Sequence, residues 1–295
     1  MGLKRIKSLP TPSGVAAGKT ATFDVPVGPR YHTIWLETGD TAKDIVTSII
    51  GDIRLKINGK VQRTMSAEEL DALNTSMGVN GEYGRKEEDD GTPGDGHIVT
   101  TRLPIFLAEP WRKQPAVADG LAWGTGNVST FQIEVDLKAG ATGVTLSGYV
   151  EADYSTSRDA NGNEVQPPIG VISKWFRQQI AINGTTQDIT TFPHRDFYQQ
   201  ISFFDGDIDS VVVQTDSIIQ RDLTAARNAG ILESREMDPS DDRFDVVFDY
   251  DDLITSGLPM VMNGRPVTDF QILLTLSDGT PRNISTITQR LGPPE

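Results

Sequence analysis

Hydrophobic and polar residues alternate with period two along much of this chain, the spacing of half-buried strands. Residues 131–137, "FQIEVDL", place Phe131, Ile133, Val135 and Leu137 on one face without a fault. "DIRLKINGKVQ" sets Ile53, Leu55 and Ile57 against Asp52, Arg54 and Lys56, then reaches Asn58-Gly59, a pair suited to a two-residue hairpin turn with positive φ at both positions. "VTLSGYV", "FDVVFDY" and "FQILLTL" read as further strands. Only two helices are predicted. "SAEELDAL" opens with a capping box, Ser66 with Glu69, buries Leu70, Leu73 and Met77, and closes at Gly78. "DSIIQRDLTAARNAG" has Ile219, Leu223 and Ala226 at helical spacing and predicts a helix ending at Gly230. Many strands with two isolated helices argue for sandwiches or barrels and against a doubly wound α/β sheet.

Polar stretches divide the chain. Residues 156–168, "TSRDANGNEVQPP", have no apolar period and read as a linker between halves of similar length. Each half suits an eight-stranded jelly roll, so the expected class is all-β with two tandem jelly rolls and a few short helices in loops. The boundaries are an N-terminal arm at 1–12, a first roll at 13–155, the linker at 156–168 and a second roll at 169–295. Residues 80–96 form a long polar loop inside the first half.

"SGVAAGKT", residues 13–20, has the look of a phosphate-binding loop. Ser13 stands where the first Gly is required, however, and a strand pattern follows in "TATFDVPV" where the phosphate cradle needs a helix. The segment is instead expected to lead from the arm into the first strand, with Lys19 on the surface.

Composition narrows the function. The 295 residues contain no cysteine, which excludes disulfides and thiolate chemistry. No apolar run approaches the ~18 residues that span a bilayer. The expectation is a soluble protein without an export signal. A net charge of −14 disfavours direct contact with nucleic acid. Charge is also uneven: residues 205–252 hold fourteen acidic and four basic side chains, whereas the first twelve residues carry Lys4, Arg5 and Lys7 and no acid.

Catalytic candidates are thin. His32, His97 and His194 are the three histidines; His194 beside Arg195 and Asp196 is the most enzyme-like, yet no nucleophile motif accompanies it. No catalytic set and no bound cofactor are expected, with one open point. Asp205, Asp207 and Asp209 alternate as at the start of a calcium loop, but Ser210 stands where the loop glycine belongs, so a hairpin turn with solvated acids is the competing reading. Trp35, Trp111, Trp123 and Trp175 would make a sugar-stacking platform if exposed, and core or interface anchors if not.

Two longer stretches carry a resemblance. "LPTPSGVAAGKTATFDVPVGPRYHTIWLE" followed by "DIRLKINGKV" resembles the N-terminal region of the corticovirus-like major capsid protein, the double jelly-roll coat protein of tailless, membrane-containing bacterial viruses. In the second half "WFRQQIAINGTTQDITTFP", then "QRDL" at 220–223 and "ILE" at 231–233, resemble the same family in the same order. "STITQRLGPPE", residues 285–295, has no counterpart.

The resemblance implies a viral major capsid protein that forms pseudo-hexagonal homotrimers tiling an icosahedral shell over an internal membrane. Its implied partners are itself, minor capsid or vertex proteins and the inner viral membrane. Its implied place is the virion, after assembly in the host cytoplasm. Lys4, Arg5 and Lys7 would then form a membrane-facing arm meeting anionic head groups, against the alternative of a solvated tail. A carbohydrate-binding β-sandwich or spike-type protein is the alternative function.

Overall fold

The computed structural model describes residues 3–39, 43–78, 85–88, 97–154, 156–158, 161–249, 256–262 and 264–295. The chain divides into two compact units, one of residues 1–75, 79–173 and 293–295, the other of residues 76–78 and 174–292. Within the described residues each unit is built on eight strands in two sheets.

In the first unit these are β1 (Arg5–Ser8), β2 (Thr20–Val25), β3 (Arg30–Thr38), β4 (Ile50–Ile57), β5 (Lys60–Ser66), β6 (Arg102–Phe106), β7 (Phe131–Leu137) and β8 (Leu146–Asp153). One sheet runs β1-β8-β3-β6 and the other β2-β7-β4-β5. Strand neighbours are therefore first with eighth, third with sixth, second with seventh and fourth with fifth, the jelly-roll order of two interleaved Greek keys. The alternation seen in the sequence is the cause. On β7 the four apolar side chains are buried and the three polar ones between them half-buried. Together with Phe23, Ile34, Leu36, Ile53, Leu55, Leu103, Ile105 and Val150 they form the first core.

The second unit repeats the plan with β9 (Ile172–Ile182), β10 (Thr186–Ile189), β11 (Phe197–Phe204), β12 (Ile208–Thr215), β13 (Ile218–Thr224), β14 (Phe244–Val247), β15 (Phe270–Leu276) and β16 (Arg282–Gly292). Its sheets run β9-β16-β11-β14 and β10-β15-β12-β13, the same order of first, eighth, third, sixth and second, seventh, fourth, fifth. Its core is lined by Ile201, Phe203, Val211, Val213, Phe270, Ile272 and Leu274 among others. Residues 285–292, which match nothing in the resemblance, make up most of the eighth strand. A ten-residue helix follows the fifth strand in both units: α1 (Ala67–Ser76) after β5 and α2 (Ala225–Ser234) after β13.

Local signals explain several of these elements. Asn58 and Gly59 have φ of 50° and 77° and turn β4 into β5 as a primed hairpin. At α1 the Glu69 N–H donates to Ser66 Oγ at 3.1 Å and the Ser66 N–H to Glu69 Oε2 at 2.7 Å, closing the capping box.

Four expectations change. Residues 1–12 do not form an arm ahead of the first roll: Arg5–Ser8 is its first strand, antiparallel to β8 with Ile6 opposite Glu151. "SGVAAGKT" accordingly joins the first strand to the second. The helix expected from residue 216 onward is a hairpin for its first half, because Asp216 and Ser217 take positive φ (47° and 66°) and fold β13 back onto β12. Thr224 then caps α2, which runs past Gly230 to Ser234. Finally, residues 156–168 are not a free linker. Ser157–Arg158 pairs with Glu164–Val165, and the Gly126 N–H donates to Pro167 O at 2.9 Å. Of residues 80–96 only Arg85–Glu88 is described, paired with His97–Thr100; the remainder lies outside the described residues.

Candidate functional site

The buried polar groups of the first roll converge on His32. This β3 residue is buried, with Nε2 2.8 Å from Asp153 Oδ2 and Nδ1 3.0 Å from Asp119 Oδ1. Both ring nitrogens therefore face a carboxylate oxygen. Arg30 adds Nε and Nη2 to Asp153 at 2.9 and 2.7 Å, and Lys4 adds Nζ to Asp119 at 2.9 Å. Burial pushes the Asp119 carboxyl up, but the Lys4 hydrogen bond and the His32 charge outweigh it and hold the group below the usual carboxylate range. The ladder Lys4–Asp119–His32–Asp153–Arg30 thus ties the residue before β1 to β3 and β8. Its described members are carboxylates and cationic side chains, and its role is structural.

The basic tip sits on the first roll. Besides Lys4, the Arg5 guanidinium lies 5.5 Å and Lys7 Nζ 4.4 Å from the Tyr154 ring centre. All four residues of β1 are exposed.

Asp205 and Asp207 are brought together, around an arginine. Arg282 Nη2 lies 3.0 Å from Asp205 Oδ1 and 3.2 Å from Asp207 Oδ2, and Arg282 also reaches Asp278 through Nη1. Asp209 stands exposed as the second residue of β12. No group of three or more His, Asp or Glu side chains placed to hold a metal ion occurs among the described residues. Among the described residues the cation beside these acids is Arg282, whose hydrogen bonds to Asp205 and Asp278 raise its pKa further. Sequence reasoning missed it because Arg282 is 77 residues from Asp205.

The enzyme-like triplet is likewise structural. The half-buried Asp196 turns to the buried Lys174 at 2.8 Å and to the buried Arg290 at 3.6 Å, while the His194 ring packs edge-on to Phe270 at 6.2 Å. Among the tryptophans, Trp123 and Trp175 are buried. Trp35 stacks on Tyr149 with centroids 5.7 Å apart and planes 9° apart, and Phe106 joins Trp35 to Trp111 through edge contacts. They serve as packing anchors, which leaves no four-tryptophan platform for a sugar.

Two eight-stranded jelly rolls of one topology, in tandem, define the double jelly-roll class. The sequence agrees: residues 6–153 match the family model for the viral coat protein P2 N-terminal domain and residues 172–294 that for the P2 C-terminal domain. The chain belongs to the viral coat protein P2 family, whose members are structural proteins of the virion and not enzymes.

Solved structures share the fold. The major capsid protein P2 from bacteriophage PM2 is 18% identical with a TM-score of 0.78, over 99% of this chain and 98% of that one. The major capsid protein of Sulfolobus turreted icosahedral virus is 12% identical (TM-score 0.66, 98% and 96% covered). The PBCV-1 virus capsid protein is 9% identical (TM-score 0.63, 99% and 94% covered). No curated protein sequence matches the chain closely enough to count as a relative. The carbohydrate-binding alternative is not favoured.

Proposed function

We propose that this coat protein acts as a homotrimer of pseudo-hexagonal outline, tiling an icosahedral shell over an internal membrane. The observation that carries the reading is the repeated topology. Both rolls have the same strand order and the same helix after the fifth strand, so three chains present six equivalent barrels. A threefold object with six like barrels packs among its neighbours as a hexagon does, which fits the closed symmetry that most oligomers adopt. Minor capsid or vertex proteins would complete the shell where six-fold tiles cannot, and assembly would take place in the host cytoplasm before the protein rests in the virion. The absence of cysteine suits that reducing compartment.

Electron microscopy of the purified chain tests the reading. Projections with a hexagonal outline and six density maxima are expected. A dimer, or a ring of another order, would overturn it.

A further inference from the structure

A closed ring of identical subunits is built from one heterologous contact repeated, so each subunit must carry two different and complementary patches. The described surface offers such a pair. β1 ends one sheet of the first roll and β13 ends one sheet of the second; each has a ladder partner on one side only, β8 and β12 respectively. The four most exposed large apolar side chains among the described residues lie on or beside these two edges: Leu3 at 79%, Ile6 at 75%, Ile218 at 62% and Ile219 at 58%.

Paired isoleucines on an open sheet edge invite association, and proteins that stay monomeric blunt such edges with charge, proline or a covering loop. Here charge flanks both apolar pairs, and it is of opposite sign on the two edges, so each edge repels its own kind and suits the other. Around β1 stand Lys4, Arg5 and Lys7, with no acid in the first twelve residues. Around β13 stand the exposed Asp216, Asp222 and Asp269, in a segment rich in acid. The nearby Arg221 turns back, donating to Phe248 O at 3.3 Å with its guanidinium over that ring. An apolar centre with a rim of opposite charges is the composition of a specific interface.

We infer that the β1 edge of one chain packs against the β13 edge of a second copy, Leu3 and Ile6 meeting Ile218 and Ile219, with Arg5 and Lys7 facing Asp216 and Asp222. This inference rests on the homotrimer reading above and names its contact. It also gives the basic tip an occupant, another subunit and not a membrane.

Two variants of the full chain test it, Leu3→Glu/Ile6→Glu and Ile218→Glu/Ile219→Glu, each sized by light scattering after gel filtration. Each alone is expected to lose trimers, assembly weakening by about tenfold or more. Mixed together they are expected to form dimers, since each pair retains one intact β13 edge and one intact β1 edge. The milder Ile6→Thr and Ile218→Thr/Ile219→Thr keep strand preference and guard against misfolding; they are expected to shift the trimer in the same direction. If the unaltered chain is trimeric and all variants remain so, or if the glutamate variants are monomeric and their mixture stays monomeric, the inference falls and the homotrimer stands. If the unaltered chain is itself monomeric, the homotrimer reading falls first. Flotation with anionic phospholipid vesicles separates the remaining source: Leu3→Glu/Ile6→Glu trimers that have lost vesicle binding would assign the edge to lipid and overturn the subunit contact.

Discussion

His32 Nε2 lies 2.8 Å from Asp153 Oδ2 in the interior of the first roll, with both side chains almost fully excluded from solvent. Breaking a buried pair by removing one partner leaves the other charge uncompensated, at a cost of roughly 3–5 kcal/mol. Asp153→Ala should therefore destabilise the first roll by up to about that amount, because it takes the carboxylate from Arg30 and leaves His32 with Asp119 alone. Three of the four tryptophans, Trp35, Trp111 and Trp123, lie in the first unit, so denaturant unfolding followed by tryptophan fluorescence reads the loss. An unchanged transition would show that the ladder carries no net stability.

Asp119 of this ladder and two carboxylates of β7, Glu134 and Asp136, predict an acid limit. Asp119 is held below its usual range by Lys4 and His32 against the opposing effect of burial; Glu134 is held low by Lys56, and Asp136 by Arg54. A carboxylate whose folded pKa is depressed stabilises fully above its unfolded value, about 4 for these groups, and the contribution fades as pH falls through the folded value. Melting temperature should thus be insensitive to these groups above about pH 5 and fall below pH 4. Lys4→Met should make that acid limb shallower, and melting scans across the pH range provide the check.

Arg282 predicts indifference to calcium. Its guanidinium already pairs with Asp205, Asp207 and Asp278 and offsets one of their three negative charges. Arg282→Gln should lower stability by about 1–2 kcal/mol, charge-assisted hydrogen bonds at a partly exposed site being replaced by repulsion among three acids. Adding calcium or EGTA should leave the melting curve of the unaltered protein in place. A calcium-dependent rise would show that an ion displaces Arg282 from the carboxylates.

Two glycines mark where residues 166–168 dock. A Cβ on Gly126 would stand 2.5 Å from Gln166 O, and one on Gly124 would stand 2.4 Å from Pro168 O. Gly126→Ala should therefore push this segment off the first roll, costing about 1–3 kcal/mol. Limited proteolysis should then cut within residues 156–168 faster than in the unaltered chain.

How far the sequence revealed these features depended on how local their causes are. β7, the Asn58-Gly59 turn and the α1 capping box were legible because each is determined by neighbours within a few positions. β1 was not: all four of its residues are exposed, so it has no buried face to imprint an alternation. The β12–β13 hairpin was misread because Ile219, Leu223 and Ala226 fall at helical spacing, while the feature that decides the turn is positive φ at Asp216 and Ser217. The acids at 205 and 207 were read as calcium candidates or as solvated turn residues, and the arginine between them was not foreseen. Their cation is a side chain brought in by the fold from β16, and a sequence window cannot hold both. The resemblance to the capsid family succeeded where local periodicity failed, because order and spacing over the whole chain survive the loss of identity at single positions.

The central claim, self-association into trimers, is tested most directly by sedimentation equilibrium of the unaltered chain over a wide concentration range. A single species at three times the 32.2 kDa chain mass is expected. A chain that remains at 32.2 kDa at every concentration would contradict it.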